Sequence, residues 1–184
     1  MRELSALATE LGDSEAAGDW AAIAEKLKTA LLESLWDGSR FLARSPGTGT
    51  TSSSTSLLAL MPIVLGTELP AEVRTALVEG LEAHLTSHGL ATEPLGSARY
   101  TADGYWRGPI WAPATLLIED GLRRAGHDEL ADEISSRFRE LCETSGFAEN
   151  FDAGTGAGLR DRAYTWTAAV YLILAAAHRE RATT

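Results

Sequence analysis

The stretch GFAENFDAGTG, residues 146–156, sets Glu149 beside Asn150, Phe151 and Asp152 in a segment too rich in glycine to continue a helix. A carboxylate on such a loop suits general acid or base work, and hydrolysis of a glycosidic bond needs two of them. One protonates the leaving oxygen while the other activates water on the opposite face, roughly 6.5–9.5 Å away in inverting enzymes. Glu149 and Glu93 are the loop glutamates placed for such a role. Near them fall Tyr105, Trp106, Arg107 and Trp111, ahead of one apolar segment, and Trp166, ahead of another. Flat aromatic faces with an indole N–H, interleaved with Asp, Glu and Arg, suit sugars, whose ring faces stack while their hydroxyls need polar partners. The same tryptophans would equally serve to plug an opening between helices, and spacing alone does not separate the two.

The elements that must position these residues alternate between two kinds. Trp20, Ile23, Leu27, Leu31 and Leu35 form one helical stripe with charged residues opposite, and the pattern returns at Val73, Leu77, Leu81 and Leu85 and at Leu130, Ile134, Phe138 and Leu141. Between these amphipathic helices lie segments that are apolar nearly all round: LLALMPIVLG, IWAPATLLIEDGL, TAAVYLILAAA and a weaker first one, ELSALATELG. Such helices are expected to be covered on every side. Passing from an apolar helix to an amphipathic one takes a few residues after Gly12, Gly66 or Gly126, with Asp13, Thr67 and Asp128 as expected N-caps. Passing back takes far longer, over about 37–53, 87–108 and 145–162, and loops of that length are usually functional. SHGLATE (87–93) and TSGFAEN (144–150) open the second and third long loops in nearly the same register, so the unit repeats.

An α-hairpin repeat of this kind curls into a ring with buried inner and amphipathic outer helices. All long loops precede inner helices, so they converge on one rim. The expected fold is all-α, part of an (α/α)6 toroid with about seven helices, fewer than a closed ring holds: a half barrel. No strand is expected beyond a short hairpin around 90–105, and Pro109 is expected near the first position of the helix that follows. The 184 residues read as one domain.

A net charge of -10 without a basic stripe disfavours nucleic acid and anionic membranes as partners, and a neutral ligand fits better. The longest apolar run, Ala168–Ala177, is too short to cross a bilayer, and the first residues carry charges that a secretion signal lacks. With Cys142 as the single cysteine, the expectation leans to the cytoplasm. His84 and His88 have a zinc-compatible spacing but no third ligand, and no phosphate loop, GxSxG elbow or dinucleotide fingerprint occurs, so neither metal nor cofactor is expected. Thr and Ser of GTGTTSSSTS (47–56) are expected to cap the next helix.

Three motifs are more specific. YWRGPIW (105–111), FAENFD (147–152) and RAYTWTAAV (162–170), in this order and spacing, resemble the C-terminal half of glycoside hydrolase family 63 and its mannosylglycerate-hydrolase-like relatives, (α/α)6-barrel enzymes, with trehalases as more distant kin. The resemblance runs over essentially the whole chain. It implies an inverting hydrolase of a small α-glucoside, α-mannoside or oligosaccharide, with Glu149 as the general base. It implies Trp106 and Arg107 in the sugar pocket, Tyr105 in support, Trp166 as the aromatic of the last motif, and Asn150, Phe151 and Asp152 holding the glutamate. The family's general acid, an aspartate on an earlier loop, has no counterpart here; Asp37 in LWDGSRF matches a structural feature instead. A missing N-terminal half or another chain is therefore expected to complete the barrel. The alternative is a noncatalytic helical-repeat module that binds carbohydrate or protein through the same rim.

Overall fold

The computed structural model describes residues 1–183. Seven helices account for 57% of the chain, with a few short strands, so the all-α expectation holds. The chain packs as two compact units, Met1–Ser53 and Ser54–Thr184.

In the first unit α1 (Arg2–Glu10) packs on α2 (Ser14–Leu35), and the Ser5 hydroxyl donates to the Ala17 carbonyl at 2.8 Å. Asp13 caps α2 as expected, accepting from the Ala16 N–H at 3.0 Å. The expected burial of the α2 stripe is not found: no residue of the helix is buried, and Ile23 and Leu27 are exposed. A two-residue hairpin follows, β1 (Ala43–Arg44) with β2 (Thr51–Ser52).

The second unit holds three inner and two outer helices. The first inner element, Leu57–Glu68, winds as a 3₁₀ helix, not the α-helix its apolar pattern predicts. Pro62 lies inside it and has no N–H for the carbonyl four residues back. Ser56 caps it, as the composition of the preceding loop implied. Outer helix α3 (Ala71–Glu82) buries Val73, Leu77 and Leu81 against this element; Leu85, assigned to the same stripe, belongs instead to a hairpin, β3 (Leu85–Thr86) with β4 (Gly89–Leu90). Inner helix α4 (Ala112–Arg124) packs between the 3₁₀ helix and inner helix α6 (Thr165–Ala182), and outer helix α5 (Asp128–Ser145) covers α4 and α6. Gly12 and Gly126 follow helix ends with positive φ, as expected, whereas Gly66, also at positive φ, kinks the 3₁₀ element two residues before its end; Thr67 and Asp128 cap nothing, since Pro70 and His127 precede α3 and α5.

The core runs through Ala91, Ile110, Phe138, Leu141, Ala148, Phe151 and Val170, with the Phe138 and Phe151 rings edge to face at 6.2 Å. Gly121 is where α4 meets the 3₁₀ helix most closely: a Cβ there would lie 2.7 Å from the Ile63 carbonyl oxygen. Because that neighbour is backbone, Gly121→Ala is expected to cost about 1–3 kcal/mol, read as a lowered urea midpoint with an unchanged m-value. Full coverage of the inner helices is not found. Leu58, Leu117, Leu172 and Ile173, all on inner elements, are about half exposed or more.

Candidate active site at the rim

The second and third long loops meet through backbone pairing. Ala91 bridges Ile110, and Ile110 bridges Phe151, with the Ile110 N–H donating to the Phe151 carbonyl at 2.7 Å and the reverse bond at 3.1 Å. The hairpin expected around 90–105 is therefore misplaced. The strands lie at 85–90 and at β5 (Asn150–Phe151) with β6 (Gly158–Leu159), and residue 110 ties the two loops together. Pro109 sits in this extended segment, not at the helix start; α4 opens after Trp111, with Pro113 in its first turn. The repeat register holds in space, since Ala91 and Ala148, equivalent in the two motifs, are both core residues. Thr92 then corresponds to Glu149, and Glu93 to Asn150.

Glu149 is half-buried, and its backbone is pinned at both ends. Its N–H donates to the Asp161 carbonyl at 2.7 Å, and its carbonyl accepts from the Trp166 indole N–H at 3.2 Å. Its carboxylate has no hydrogen bond or ion pair among the described residues. A pocket is lined by Asp161, Arg162, Ala163, Tyr164 and Thr165, at the end of the same loop; Glu149, Trp106, Arg107 and Trp166 are not among its lining residues.

An aromatic wall stands beside it. Trp106 stacks on Trp111 at 5.5 Å and 7°, Trp111 meets Trp166 edge-on at 5.5 Å, and Tyr164 leans on Trp166 at 4.6 Å. Trp111 is 2% exposed and enclosed by Tyr105, Trp106 and Trp166, so it presents no free face to a ligand. Trp106, Trp166 and Tyr164 are half-buried, while Tyr105 and Arg107 are exposed. Tyr105 takes a left-handed φ of 58°, uncommon for a bulky residue, and this turns its carbonyl to accept the Trp111 indole N–H at 2.8 Å. Nothing in the sequence signals that bend. The Arg107 guanidinium has no partner among the described residues.

None of the residues that the resemblance assigned to holding Glu149 bonds its carboxylate. Phe151 is core. Asn150 opens β5 directly after the bend at Glu149; it is fully buried, with neither side-chain amide atom hydrogen-bonded. Asp152 serves its own loop, accepting from the Gly154 N–H at 2.9 Å, the Thr155 hydroxyl at 2.8 Å and the Tyr100 hydroxyl at 2.9 Å. Burial alone would raise the Asp152 pKa, but the bonds from Gly154, Thr155 and Tyr100 together hold it below the usual carboxylate value. Tyr100, in turn, is pushed up to about 12, first by burial and then by Asp152. A carboxylate with a depressed folded pKa stabilises the fold above its unfolded pKa, about 3.9, and loses that contribution as pH falls through the folded value. Asp152→Asn should therefore cost about 1–2 kcal/mol at pH 7 and progressively less below about pH 4, as urea titrations at both pH values would measure.

Glu93, the other loop glutamate, is 2% exposed and accepts from the Thr55 and Ser97 hydroxyls, so it cannot face a substrate. His84 is buried too; its Nδ1 sits 2.8 Å from the Ala91 carbonyl oxygen, and burial lowers its pKa. Arg160 reaches across to Asp103 at 2.7 Å, a second tie between the loops. Cys142 is buried and its thiol pushed up to about 12 by that burial, far from nucleophilic. No cluster of metal-ligating side chains occurs, and no helix is long and apolar enough to cross a membrane, among the described residues.

Comparison with known proteins identifies the family and the fold. The mannosylglycerate hydrolase of Rubrobacter radiotolerans is 31% identical in an alignment of 183 positions that covers 93% of this chain and 40% of that protein. A periplasmic trehalase of Xanthomonas axonopodis pv. citri is 31% identical in an alignment of 185 positions that covers 92% of this chain and 31% of the relative. The solved structure of the GH63 mannosylglycerate hydrolase from Thermus thermophilus with Tris and D-glycerate superposes with a TM-score of 0.80 at 26% identity, covering 95% of this chain and 42% of that one. The chain thus spans less than half the length of these relatives. The family model of the mannosylglycerate hydrolase MGH1-like glycoside hydrolase domain matches residues 1–167, and the chain belongs to that family.

Proposed function

We propose that these residues form the base-bearing portion of an inverting glycoside hydrolase domain, with Glu149 as the base. Its substrate class is a small α-mannoside or α-glucoside, of which mannosylglycerate and trehalose are the forms that the relatives' names supply. The observation that carries the reading is Glu149 itself: a carboxylate free of partners, on a backbone fixed by Asp161 and Trp166, beside half-buried aromatic faces. Glu149 would take a proton from water as the water oxygen bonds to the anomeric carbon. The glycosidic C–O bond breaks on the other face, and its oxygen is protonated by a carboxylic acid.

That acid is placed outside these 184 residues by the family resemblance, and neither Glu93, which is enclosed, nor Asp152, which is engaged in its loop, takes its place. Trp106 and Trp166 offer faces to the sugar, with Arg107 and Tyr105 at its edge, while Trp111 is the platform beneath them and Asp152 shapes the hairpin that carries the base. The test is hydrolysis of mannosylglycerate and trehalose by the completed catalytic domain, followed by proton NMR of the first sugar released. An initial β-anomer is expected. An initial α-anomer, or no hydrolysis of any α-mannoside or α-glucoside, overturns the reading.

A further inference from the structure

Glu93 is a buried carboxylate for which the proposed reaction has no use. Its Oε1 accepts the hydroxyl of Thr55, which stands 38 residues earlier, just before the Ser56 cap of the 3₁₀ helix, and the hydroxyl of Ser97 at 2.5 Å. No Lys or Arg pairs with it among the described residues. Ser97 also organises the turn that delivers Tyr100, accepting from the Arg99 N–H at 3.1 Å through its hydroxyl and from the Tyr100 N–H at 3.0 Å through its carbonyl. The Tyr100 hydroxyl then reaches Asp152 in the hairpin that carries Glu149.

The neighbouring Thr92 makes the matching connections on the other side. Its carbonyl accepts from the Leu57 N–H at 2.9 Å. Its hydroxyl donates to the Pro109 carbonyl at 2.9 Å and accepts from the Gly108 N–H at 3.0 Å, beside Trp106 and Trp111. The start of the 3₁₀ helix, with Thr55 and Leu57, and both ends of the second long loop therefore meet at residues 92–93, and Tyr100 extends the connection to the third loop.

We propose that Glu93 is a positioning residue that holds the second rim loop in register on the start of the 3₁₀ helix and, through that loop, the aromatic wall and the Glu149 hairpin. A residue that merely filled this space would be apolar, since burying a carboxylate costs free energy unless its bonds are directional and satisfied. Hydroxyl donors from two segments distant in sequence, at Thr55 and Ser97, supply that direction. Equivalent positions in the two repeats, Glu93 and Asn150, are both buried polar side chains, which marks this as a site where the fold keeps polarity inside. The catalytic consequence rests on the reading of Glu149 as base; the geometric claim does not.

The test uses the chain itself, labelled with ¹⁵N-tryptophan, with the indole N–H resonances assigned by single Trp→Phe variants. The Trp111 and Trp166 indoles bond to Tyr105 and Glu149, so they report the rim directly, while Trp20 and Trp36 report the first unit. Glu93→Leu should move or broaden the Trp111 and Trp166 resonances and leave Trp20 and Trp36 in place. Glu93→Gln, which keeps an acceptor oxygen for both hydroxyls, should return them. Thr55→Val, a milder change, should shift the same two resonances and decides the matter if Glu93→Leu does not fold. Rim indoles unmoved in Glu93→Leu and Thr55→Val, or no rescue by Gln, overturn the proposal. Normal turnover of Glu149→Gln would remove the catalytic reading while leaving these shifts to stand or fall on their own.

Discussion

Replacing Glu149 with Gln in the completed domain is expected to slow turnover by about 10²–10⁴-fold, the usual contribution of a positioned general base, while sugar affinity stays nearly unchanged. The reasoning is local. Gln fills the same space on a backbone held by Asp161 and Trp166, so the loop keeps its shape. Water alone loses its proton acceptor, and Trp106 and Trp166 still offer their faces. Steady-state kinetics with a fall in kcat at constant KM is the signature to look for. Turnover within a few-fold of the parent would remove Glu149 from the chemistry.

The second large effect concerns stability. Trp111→Ala should cost about 3–5 kcal/mol, the range for truncating a fully buried large aromatic. The ring is 2% exposed and in contact with three others, and its N–H holds the left-handed Tyr105 carbonyl. Trp106→Ala removes only a half-buried ring from the outer side of the same stack, so it should chiefly raise KM and lower the melting temperature far less. Equal melting temperatures for the two variants would contradict the assignment of Trp111 as platform and Trp106 as contact.

These two tryptophans also show what a sequence can and cannot convey. Both stand in YWRGPIW, five residues apart, and their type announces an aromatic site. Which of them faces outward depends on the bend at Tyr105 and the pairing of Ile110 with Phe151, and neither has a local signal. Helices α3 and α5 were legible because apolar residues recur with the helical period amid charges, and Gly12 and Gly126 marked real helix ends. The three hairpins were not, because strands of two residues carry no alternation and owe their existence to partners far along the chain. Nor could the two loop glutamates be told apart. Only the Thr55 and Ser97 hydroxyls, 38 residues before and four after it, show that Glu93 faces inward.

The enclosure of Cys142 has a practical corollary. With the one native sulfhydryl sealed in the core and reluctant to ionise, a cysteine introduced near Trp106 can be derivatised alone by maleimide dyes or nitroxides. Distances from such a probe across the rim can then be followed on the unaltered background.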